Sequence, residues 1–231
     1  FQATKGGGHG DYRLIVLAPS SVQEMSDFVK LGFDLAFKYR NPAMILADGM
    51  IGQMMEKVEL FDPIPRAAEF DQSWVLTGKT PDRERNIITS LDLDPAKMEQ
   101  HNRDMQKKYE DLRKNDVRYE LINCDDAEYL YISYGSSSRI CQKAVEIARE
   151  KETRVGLIRP ITLFPFPDKV ISEYSEKVKG MLSVELSAGQ MVEDVRLAVN
   201  GRIPVEHYGR MGGMIYSPEE LVKAMEDKII N

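Results

Sequence analysis

The sequence predicts an α/β protein in which an incomplete parallel sheet precedes an open, doubly wound parallel sheet. Residues 126–231 alternate four times between a strand pattern and an amphipathic helix pattern, whereas residues 11–57 hold only one strand, one helix and a second strand. A single unit of this kind cannot cover both faces of its strands. We therefore expect a complete domain over residues 126–231. For the first unit, either further strands come from a segment before Phe1 or the unit packs against a partner.

The first unit begins with an apolar run over residues 13–18. Ser21 and Glu24 have the spacing of a capping box, and apolar residues then recur at helical spacing until Asn41 and Pro42 end the helix. A second apolar run over residues 43–47 follows at once. This order predicts a right-handed parallel crossover.

Residues 58–125 are interpreted as a linker with its own helix. Asp94 and Pro95 have the residue types of an N-cap and a first helical position. A narrow apolar stripe follows, together with acid-before-base pairs spaced four apart: Glu99 and Arg103, Asp104 and Lys108, Glu110 and Lys114. We expect a solvated helix that lies over a neighbouring element. The alternative is an arm that contacts another subunit.

In the second domain, strands and helices are expected to alternate to the end of the chain. The expected strands cover residues 129–134, 155–158, 181–186 and 203–207, and the expected helices cover about residues 140–148, 170–178 and 190–199 and a last helix opened by Ser217, Pro218 and Glu220. Prolines 160, 165 and 167 are interpreted as rigid punctuation between the second strand and its helix.

The composition excludes several classes of function. The net charge of the 231 residues is −6 with dispersed Lys and Arg, so a nucleic-acid or anionic-lipid surface is not expected. No apolar run reaches the roughly 20 residues of a membrane span, which favours a cytoplasmic protein. The two cysteines, Cys124 and Cys141, match no iron–sulfur or zinc spacing, and the three histidines are dispersed. No metal is expected in this chain.

The turn Gly-Ser-Ser-Ser-Arg at residues 135–139 lies where a strand passes into a helix. Its backbone N–H groups and the hydroxyls of Ser136 and Ser137 could bind a phosphate or carboxylate. Every parallel α/β domain has such turns, so an ordinary structural turn is the alternative. A dinucleotide site is not expected, because no strand is followed by G-x-G-x-x-G.

A second candidate is the glycine-rich loop at residues 6–11, which includes Gly8, His9 and Asp11. Glycines allow the backbone to approach a ligand closely, and the imidazole of His9 titrates near neutral pH. A flexible turn that carries a surface histidine is the alternative. The loop opens onto a strand, and so it lacks the helix that a P-loop requires.

Several longer segments, read together, resemble one family along nearly the whole chain. They are GGGHGDYR (6–13), VLAPSSVQEM (16–25), YRNPAMILADGMIGQMME (39–56), RPITLFPFP (159–167), VELSAGQMVEDVRLAVNG (184–201) and EHYGRMGG (206–213). The sequence is similar to the alpha subunits of the 2-oxoacid:ferredoxin oxidoreductases. The segments GGGHGDYR and GQMME are most like those of the 2-ketoisovalerate enzymes, and the similar 2-oxoglutarate enzymes are the alternative.

The resemblance implies a pyrimidine-type thiamine-binding domain, of which residues 1–57 are the C-terminal part, followed by a domain like the C-terminal domain of transketolase. It implies that the family's catalytic glutamate lies upstream of Phe1, so no catalytic residue is assigned here. The magnesium-diphosphate signature, a Gly-Asp-Gly with downstream Asn residues, is absent, because Asp48-Gly49 lacks that context. Positions near the active cleft are expected to be Gly8, His9 and Asp11.

The resemblance further implies oxidative decarboxylation of a 2-oxoacid to an acyl-coenzyme A, with electrons passing to ferredoxin. Thiamine diphosphate and magnesium would be shared with a beta subunit. A ferredoxin-like delta subunit would carry [4Fe-4S] clusters, a gamma subunit would complete the enzyme, and two such heteromers would associate. The isolated chain is expected to hold no cofactor and to be inactive.

Two other functions remain open at this point. One is the thiamine-domain subunit of a lipoyl- and NAD-linked 2-oxoacid dehydrogenase, which pairs the same two domain types. The other is a noncatalytic α/β scaffold subunit that binds only protein.

Overall fold

A computed structural model describes residues 1–8, 10–62 and 73–231. The first part contains α1 (Gln2–Lys5), β1 (Ile15–Leu17), α2 (Val22–Tyr39), β2 (Ala43–Ile45), α3 (Gly49–Gln53) and α4 (Pro95–Asn115). The second part contains β3 (Tyr119–Ile122), β4 (Tyr129–Ile132), α5 (Gly135–Glu150), β5 (Val155–Pro160), β6 (Thr162–Phe164), α6 (Asp168–Tyr174), β7 (Gly180–Glu185), α7 (Met191–Val199), β8 (Val205–Gly209) and α8 (Pro218–Met225), which a π-helical turn (Glu226–Ile230) extends.

The larger sheet has five strands in the order β3-β5-β4-β7-β8. Strands β5, β4, β7 and β8 are parallel to one another. Helices α6 and α7 cover one face with the apolar cluster around Ile132 and Met181, and helices α5 and α8 cover the other with the cluster around Tyr131 and Leu182. The α/β prediction with a doubly wound parallel sheet is confirmed.

Strand β3 shows that the second sheet begins before residue 126. It lies within the predicted linker over residues 58–125 and pairs antiparallel with β5 as an edge strand. The boundary at residue 126 was therefore placed too late. Tyr119 and Leu121 are 40% and 42% exposed, and an edge strand with only one neighbour has no continuous apolar pattern to mark it.

The smaller sheet has the strand order β2-β1-β6. Strands β1 and β2 are parallel, as the strand–helix–strand pattern predicted. Strand β6, however, comes from the proline-rich stretch after β5 and pairs antiparallel with β1. The prediction that this stretch is only rigid punctuation was incomplete, because residues 162–164 form a strand. The strands of residues 1–57 are thus extended by a strand from the second part of the chain.

Helix α4 lies over the smaller sheet. Tyr109 and Leu112 are almost fully buried among the side chains of that sheet, and the Tyr109 ring meets Phe164 edge-on at 5.8 Å between centroids. The Tyr109 hydroxyl also accepts a hydrogen bond from the backbone N–H of Arg13 at 2.9 Å. The expectation of a helix packed on a neighbouring element is confirmed.

The surface pairs of α4 differ in part from those expected. Arg103 pairs with Glu99 at 2.7 Å, as predicted. Asp104 pairs with Lys107 instead of Lys108. The ammonium of Lys108 lies over the Tyr109 ring instead, 5.4 Å from its centroid. Within the described ranges, Glu110 and Lys114 form no ion pair. Such exposed pairs contribute little to stability, so the exchange costs little.

The starts of α2 and α8, each with a Ser followed three residues later by a Glu, also differ. At α8, Ser217 and Glu220 form the complete reciprocal pair. At α2, the Ser21 hydroxyl accepts from the Glu24 N–H at 3.1 Å, but the Glu24 carboxylate accepts from the Ser20 N–H at 2.7 Å and from Arg159 at 2.5 Å. Arg159 lies on β5, so this carboxylate links the two parts of the chain. None of the helices among the described residues is long and apolar enough to cross a membrane.

Candidate functional site

The carboxyl ends of the two sheets meet at the carboxylate of Asp48. Asp48 follows β2 and caps α3, because its Oδ1 accepts from the N–H groups of Met50 and Ile51 at 3.0 Å each. Its Oδ2 accepts from the N–H of Ser136, at the start of α5, at 3.0 Å. One carboxylate therefore satisfies two helix N-termini that belong to different sheets.

The turn at residues 135–139 is built around that carboxylate. Gly135 has φ +62°, and a Cβ at this position would lie 3.0 Å from the Asp48 Oδ2, so a larger residue fits poorly. The Ser137 hydroxyl accepts a hydrogen bond from Tyr216 at 2.5 Å. The Ser136 hydroxyl is buried and has no partner among the described residues. The anion at this helix start is supplied by the chain itself, and binding of an external anion by Ser136 and Ser137 stays a prediction.

The electrostatics of this junction favour a charged Asp48 beside a neutral Tyr134. Burial alone would raise the pKa of Asp48, but hydrogen bonds from the Ile51 and Ser136 backbones hold its pKa below the usual range. Burial, together with the charges of Glu185 and Asp48, raises the pKa of Tyr134 to about 12. Tyr134 therefore remains protonated at neutral pH.

A second carboxylate, that of Glu185, lies at the end of β7 and is 3% exposed. It accepts from three N–H groups at the start of α7, those of Gln190, Met191 and Val192, at 2.9–3.0 Å. The hydroxyls of Ser183 and Ser187 donate to it at 3.2 and 3.1 Å. In the sequence, Glu185 stands at the end of a strand that leads into a helix, and a carboxylate near a helix start is favourable to the helix dipole.

His207 on β8 lies beside this carboxylate. Its Nε2 is 4.0 Å from the Glu185 Oε1, is buried, and has no hydrogen-bond partner among the described residues. A Cβ on Gly209 would lie 2.7 Å from the imidazole, so the ring occupies the space that this glycine leaves open. The three histidines are too dispersed in the sequence to suggest a shared metal, and no local pattern singles out His207.

A cleft of about 560 Å³ lies between the two parts of the chain, next to Tyr134. Its apolar walls come from the smaller sheet and from the start of α7: Met44, Leu46, Leu163, Phe166 and Met191. Gln190 and Asp194 add polar groups, and Asp194 is paired with Lys5 of α1. Apolar walls with a few polar groups suit a small, largely apolar ligand.

The glycine-rich loop is at the opposite end of β1 from the Asp48 junction. Gly8 and Asp11 are exposed, and His9 lies outside the described residues. The loop is held by hydrogen bonds from the Gly7 N–H to the Tyr12 hydroxyl at 2.7 Å and from Gln106 to the Asp11 carbonyl at 3.1 Å. The structure therefore does not bring this loop together with Ser136 and Ser137.

The cysteines are structural in their environment. Cys124 and Cys141 are buried free thiols, and burial raises their pKa to about 11 and about 12. Protonated buried thiols are poor ligands and nucleophiles. Among the residues that the structure describes, no three His, Cys, Asp or Glu side chains are grouped so that they could hold a metal ion.

Comparisons with known proteins match both parts of the chain. Residues 2–120 match the family model of the thiamine-diphosphate-binding domain of pyruvate flavodoxin/ferredoxin oxidoreductases. Residues 127–221 match core domain II of pyruvate:ferredoxin oxidoreductase. These two ranges meet near the point where the described structure passes from the smaller sheet and α4 to the larger sheet.

Relatives in archaea match nearly the whole chain. Ketoisovalerate oxidoreductase subunit VorB of Methanothermobacter marburgensis is 45% identical over 98% of this chain, which spans 63% of that relative. The 2-oxoglutarate synthase subunit KorA of Methanocaldococcus jannaschii is 35% identical over 95% of this chain and 65% of its own length. A solved 2-oxoglutarate:ferredoxin oxidoreductase from Magnetococcus marinus has the same fold, with a TM-score of 0.75 and 21% identity over 99% of this chain and 44% of its own.

Proposed function

The chain belongs to the pyruvate flavodoxin/ferredoxin oxidoreductase family, and we propose that it is an alpha-type subunit of a thiamine-diphosphate-dependent 2-oxoacid:ferredoxin oxidoreductase that acts on 2-ketoisovalerate. We propose this substrate because the chain is more similar to the ketoisovalerate subunits than to the 2-oxoglutarate subunits, with 45% against 35% identity over nearly the whole chain. Because the chain spans less than two thirds of these relatives, the activity is proposed for the complete enzyme.

The proposed reaction is oxidative decarboxylation of 2-ketoisovalerate to a branched acyl-coenzyme A, with electrons delivered to ferredoxin. When bound, thiamine diphosphate would supply the electron sink for decarboxylation. We propose a beta subunit that holds the diphosphate and magnesium, a ferredoxin-like delta subunit with [4Fe-4S] clusters, a gamma subunit, and association of two such heteromers in the cytoplasm.

The described residues do not by themselves complete a thiamine diphosphate site. In this family, a carboxylate must be free to bond the aminopyrimidine ring of the cofactor. Here, the carboxylate of Glu185 accepts hydrogen bonds from the start of α7, and that of Asp48 accepts them from α3 and α5. Asp194, in the cleft, is paired with Lys5. We therefore propose that this chain forms the wall of a cofactor site whose remaining groups come from a further segment and from the beta subunit.

We propose that the loop with Gly8, His9 and Asp11 borders the active cleft of the complete enzyme. The exposure of Gly8 and Asp11 leaves this loop accessible to a ligand or a neighbouring subunit. Replacement His9→Ala should lower turnover by about 100-fold if the imidazole positions substrate or transfers a proton. A surface turn would instead give little change in turnover and less than about 0.5 kcal/mol in stability.

The decisive assay uses the purified complex that contains this chain. Ferredoxin reduction should require coenzyme A and should show at least about a tenfold higher kcat/KM with 2-ketoisovalerate than with 2-oxoglutarate, which corresponds to about 1.4 kcal/mol. A preference for 2-oxoglutarate would overturn the substrate. The chain purified alone should contain no stoichiometric iron and should decarboxylate neither substrate.

The lipoyl- and NAD-linked dehydrogenase is disfavoured by the family match, and the same assay separates it. That enzyme would reduce NAD through a lipoyl domain and would be indifferent to ferredoxin. A scaffold role would leave the complex active after the chain is removed.

A further inference from the structure

Asn200 and Gly201 form the turn that ends α7. Asn200 is the C-cap of the helix and has a left-handed backbone, with φ 52° and ψ 41°. Gly201 follows with φ +75°. Gly and Asn adopt this conformation more readily than other residues, so the pair suits the end of a helix. The same two residues also bring a side-chain amide next to a backbone N–H that has no side chain beside it.

The reacting groups of this pair are open to solvent and unrestrained. Asn200 and Gly201 are both exposed. Among the residues that the structure describes, no group forms a hydrogen bond with the Asn200 side chain, and the Gly201 N–H donates to no carbonyl. A Cβ at Gly201 would meet no atom within 4 Å, so water and base reach this N–H freely.

We propose that Asn200 is a site of spontaneous deamidation. The Gly201 nitrogen loses its proton to base and forms a bond to the carbonyl carbon of the Asn200 side chain. The bond from that carbon to the side-chain nitrogen breaks, and ammonia leaves. Water then opens the cyclic imide at either of its carbonyl carbons, which gives aspartate or isoaspartate. The attack requires rotation about the Asn200 ψ angle, which a following glycine hinders least.

Asn123 is a matched comparison within the same chain. It is exposed and its backbone is also left-handed, with φ 53°. Its carbonyl, however, accepts from the Arg149 guanidinium at 2.8 Å, and a Cβ on Gly156 would lie 2.6 Å from the same oxygen. The peptide unit that would have to rotate is therefore held in place. The next residue, Cys124, is buried and places a side chain beside the N–H. We therefore expect Asn123 to react much more slowly than Asn200.

Three other asparagines are restrained through their side chains. The amides of Asn41, Asn86 and Asn115 donate hydrogen bonds to backbone carbonyls at 3.0, 2.6 and 2.9 Å. Asn41 also precedes Pro42, which has no N–H that could attack. The restraint that distinguishes these residues from Asn200 is visible only in the folded chain.

Both products change the end of α7. Each adds a carboxylate beside the last carbonyls of the helix, where the helix dipole disfavours negative charge. Isoaspartate also adds a carbon to the main chain, so the left-handed cap cannot keep its geometry. The first residues of the same helix, Gln190 and Met191, line the cleft. Deamidation would therefore weaken the end of a helix that forms part of the cleft wall.

The test incubates the purified folded chain at mildly alkaline pH and follows its asparagine-containing peptides by mass spectrometry. A parallel sample in denaturant shows which asparagines react without the fold. In the folded chain we expect Asn200 to lose its amide at least about tenfold faster than Asn123, which corresponds to about 1.4 kcal/mol in the barrier. Labelling by an isoaspartate-specific methyltransferase should place the isoaspartate at residue 200.

Gly201→Asn is the variant that tests the mechanism. Asn tolerates the left-handed backbone, but its side chain hinders the attacking nitrogen, so loss of the Asn200 amide should slow by at least about tenfold. Thermal unfolding checks that the variant is folded, and the comparison with Asn123 does not need the variant. Equal rates at Asn200 and Asn123, or an Asn200 amide that is lost only in denaturant, would overturn the proposal. A rate indifferent to Gly201→Asn would overturn it as well. None of these results depends on the proposed enzymatic activity.

Discussion

Helices α5 and α7 begin at the same edge of the larger sheet, and each has a carboxylate bound at its first N–H groups. At α7 the carboxylate is Glu185, on the strand that leads into that helix. At α5 it is Asp48, from the smaller sheet, 88 residues away in sequence. The same local electrostatics thus serve two purposes. Glu185 completes the larger sheet from within, and Asp48 joins the two parts of the chain at the edge where α/β folds bind ligands.

The cap by Glu185 stabilises the larger sheet, whereas the cap by Asp48 stabilises the contact between the two sheets. A buried cap supplied from within the sheet leaves several donors unpaired when it is removed. A half-buried cap supplied from the other sheet can be replaced by water. Substitutions of Glu185 and Asp48 therefore test whether the contact between the two sheets is as important for stability as the cap within the larger sheet.

The largest effect is expected for Glu185→Ala. Its removal leaves three N–H groups and two hydroxyls without their acceptor in a buried site, which should lower the free energy of unfolding by about 3 kcal/mol or more. Chemical denaturation of the purified chain measures the loss. Glu193→Ala, which removes another Glu of the same helix, is a control that should cost less than about 1 kcal/mol. Equal losses of stability for the two variants would contradict the role of Glu185 as the cap of α7.

A smaller effect is expected for Arg159→Met. The Arg159 side chain is buried and joins Glu24 of α2 to Glu120 of β3 at 2.5 and 2.6 Å, while its Nε has no partner among the described residues. Methionine keeps the apolar stem and removes the orphaned donor, while both carboxylates regain solvent. A loss of about 1–3 kcal/mol is expected in urea unfolding. A loss of unfolding free energy as large as that of Glu185→Ala would mean that the contact between the two sheets contributes as much to stability as the Glu185 cap.

The third prediction concerns pH at Asp48. Its pKa in the folded chain is lowered, so its stabilising contribution is present above the unfolded pKa and is lost as the pH falls through the folded pKa. Asp48→Asn should therefore reduce the drop in thermal stability between about pH 5 and pH 3, where a free Asp titrates near 3.9. An unchanged acid profile would show that this carboxylate does not hold the junction in solution. Asp34→Asn, on the exposed face of α2, is the control.

The smallest effect is expected for Ser136→Ala. The Ser136 hydroxyl is buried and has no hydrogen-bond partner among the residues that the structure describes, so its removal should change stability by less than about 0.5 kcal/mol or even stabilise the chain slightly. Ser137→Ala should cost more, because the Ser137 hydroxyl is the acceptor for buried Tyr216. If Ser136→Ala instead weakened binding of a phosphate or carboxylate ligand to the complex, the hydroxyl would have a ligand role that the Asp48 cap does not supply.

Features that depend on near neighbours in the chain could be predicted from the sequence. Helical and strand periodicity predicted β1, α2, β2 and the alternation of the second domain, because side-chain burial repeats every 3.6 or 2 residues along one element. Local caps were also predictable, as at Ser217 and Asp94, since donor and acceptor lie within three residues of each other. The family resemblance followed from the same ordered segments.

Contacts between groups that are distant in the chain could be seen only in the folded structure. Nothing in the local pattern of residues 119–122 or 162–164 indicated an edge strand of one sheet or the third strand of the other, because pairing partners lie far away in sequence. The partners of Glu24 and Asp48 are equally distant in sequence. The Glu24 carboxylate accepts from Arg159 and does not complete the capping box of α2, and the Asp48 carboxylate accepts from the Ser136 N–H. Binding of a phosphate or carboxylate ligand at the turn of Ser136 and Ser137 stays a prediction, and in the structure the Ser136 N–H donates to a carboxylate of the chain itself. That its anion is the carboxylate of Asp48 depends on the meeting of two sheets, which no local pattern contains.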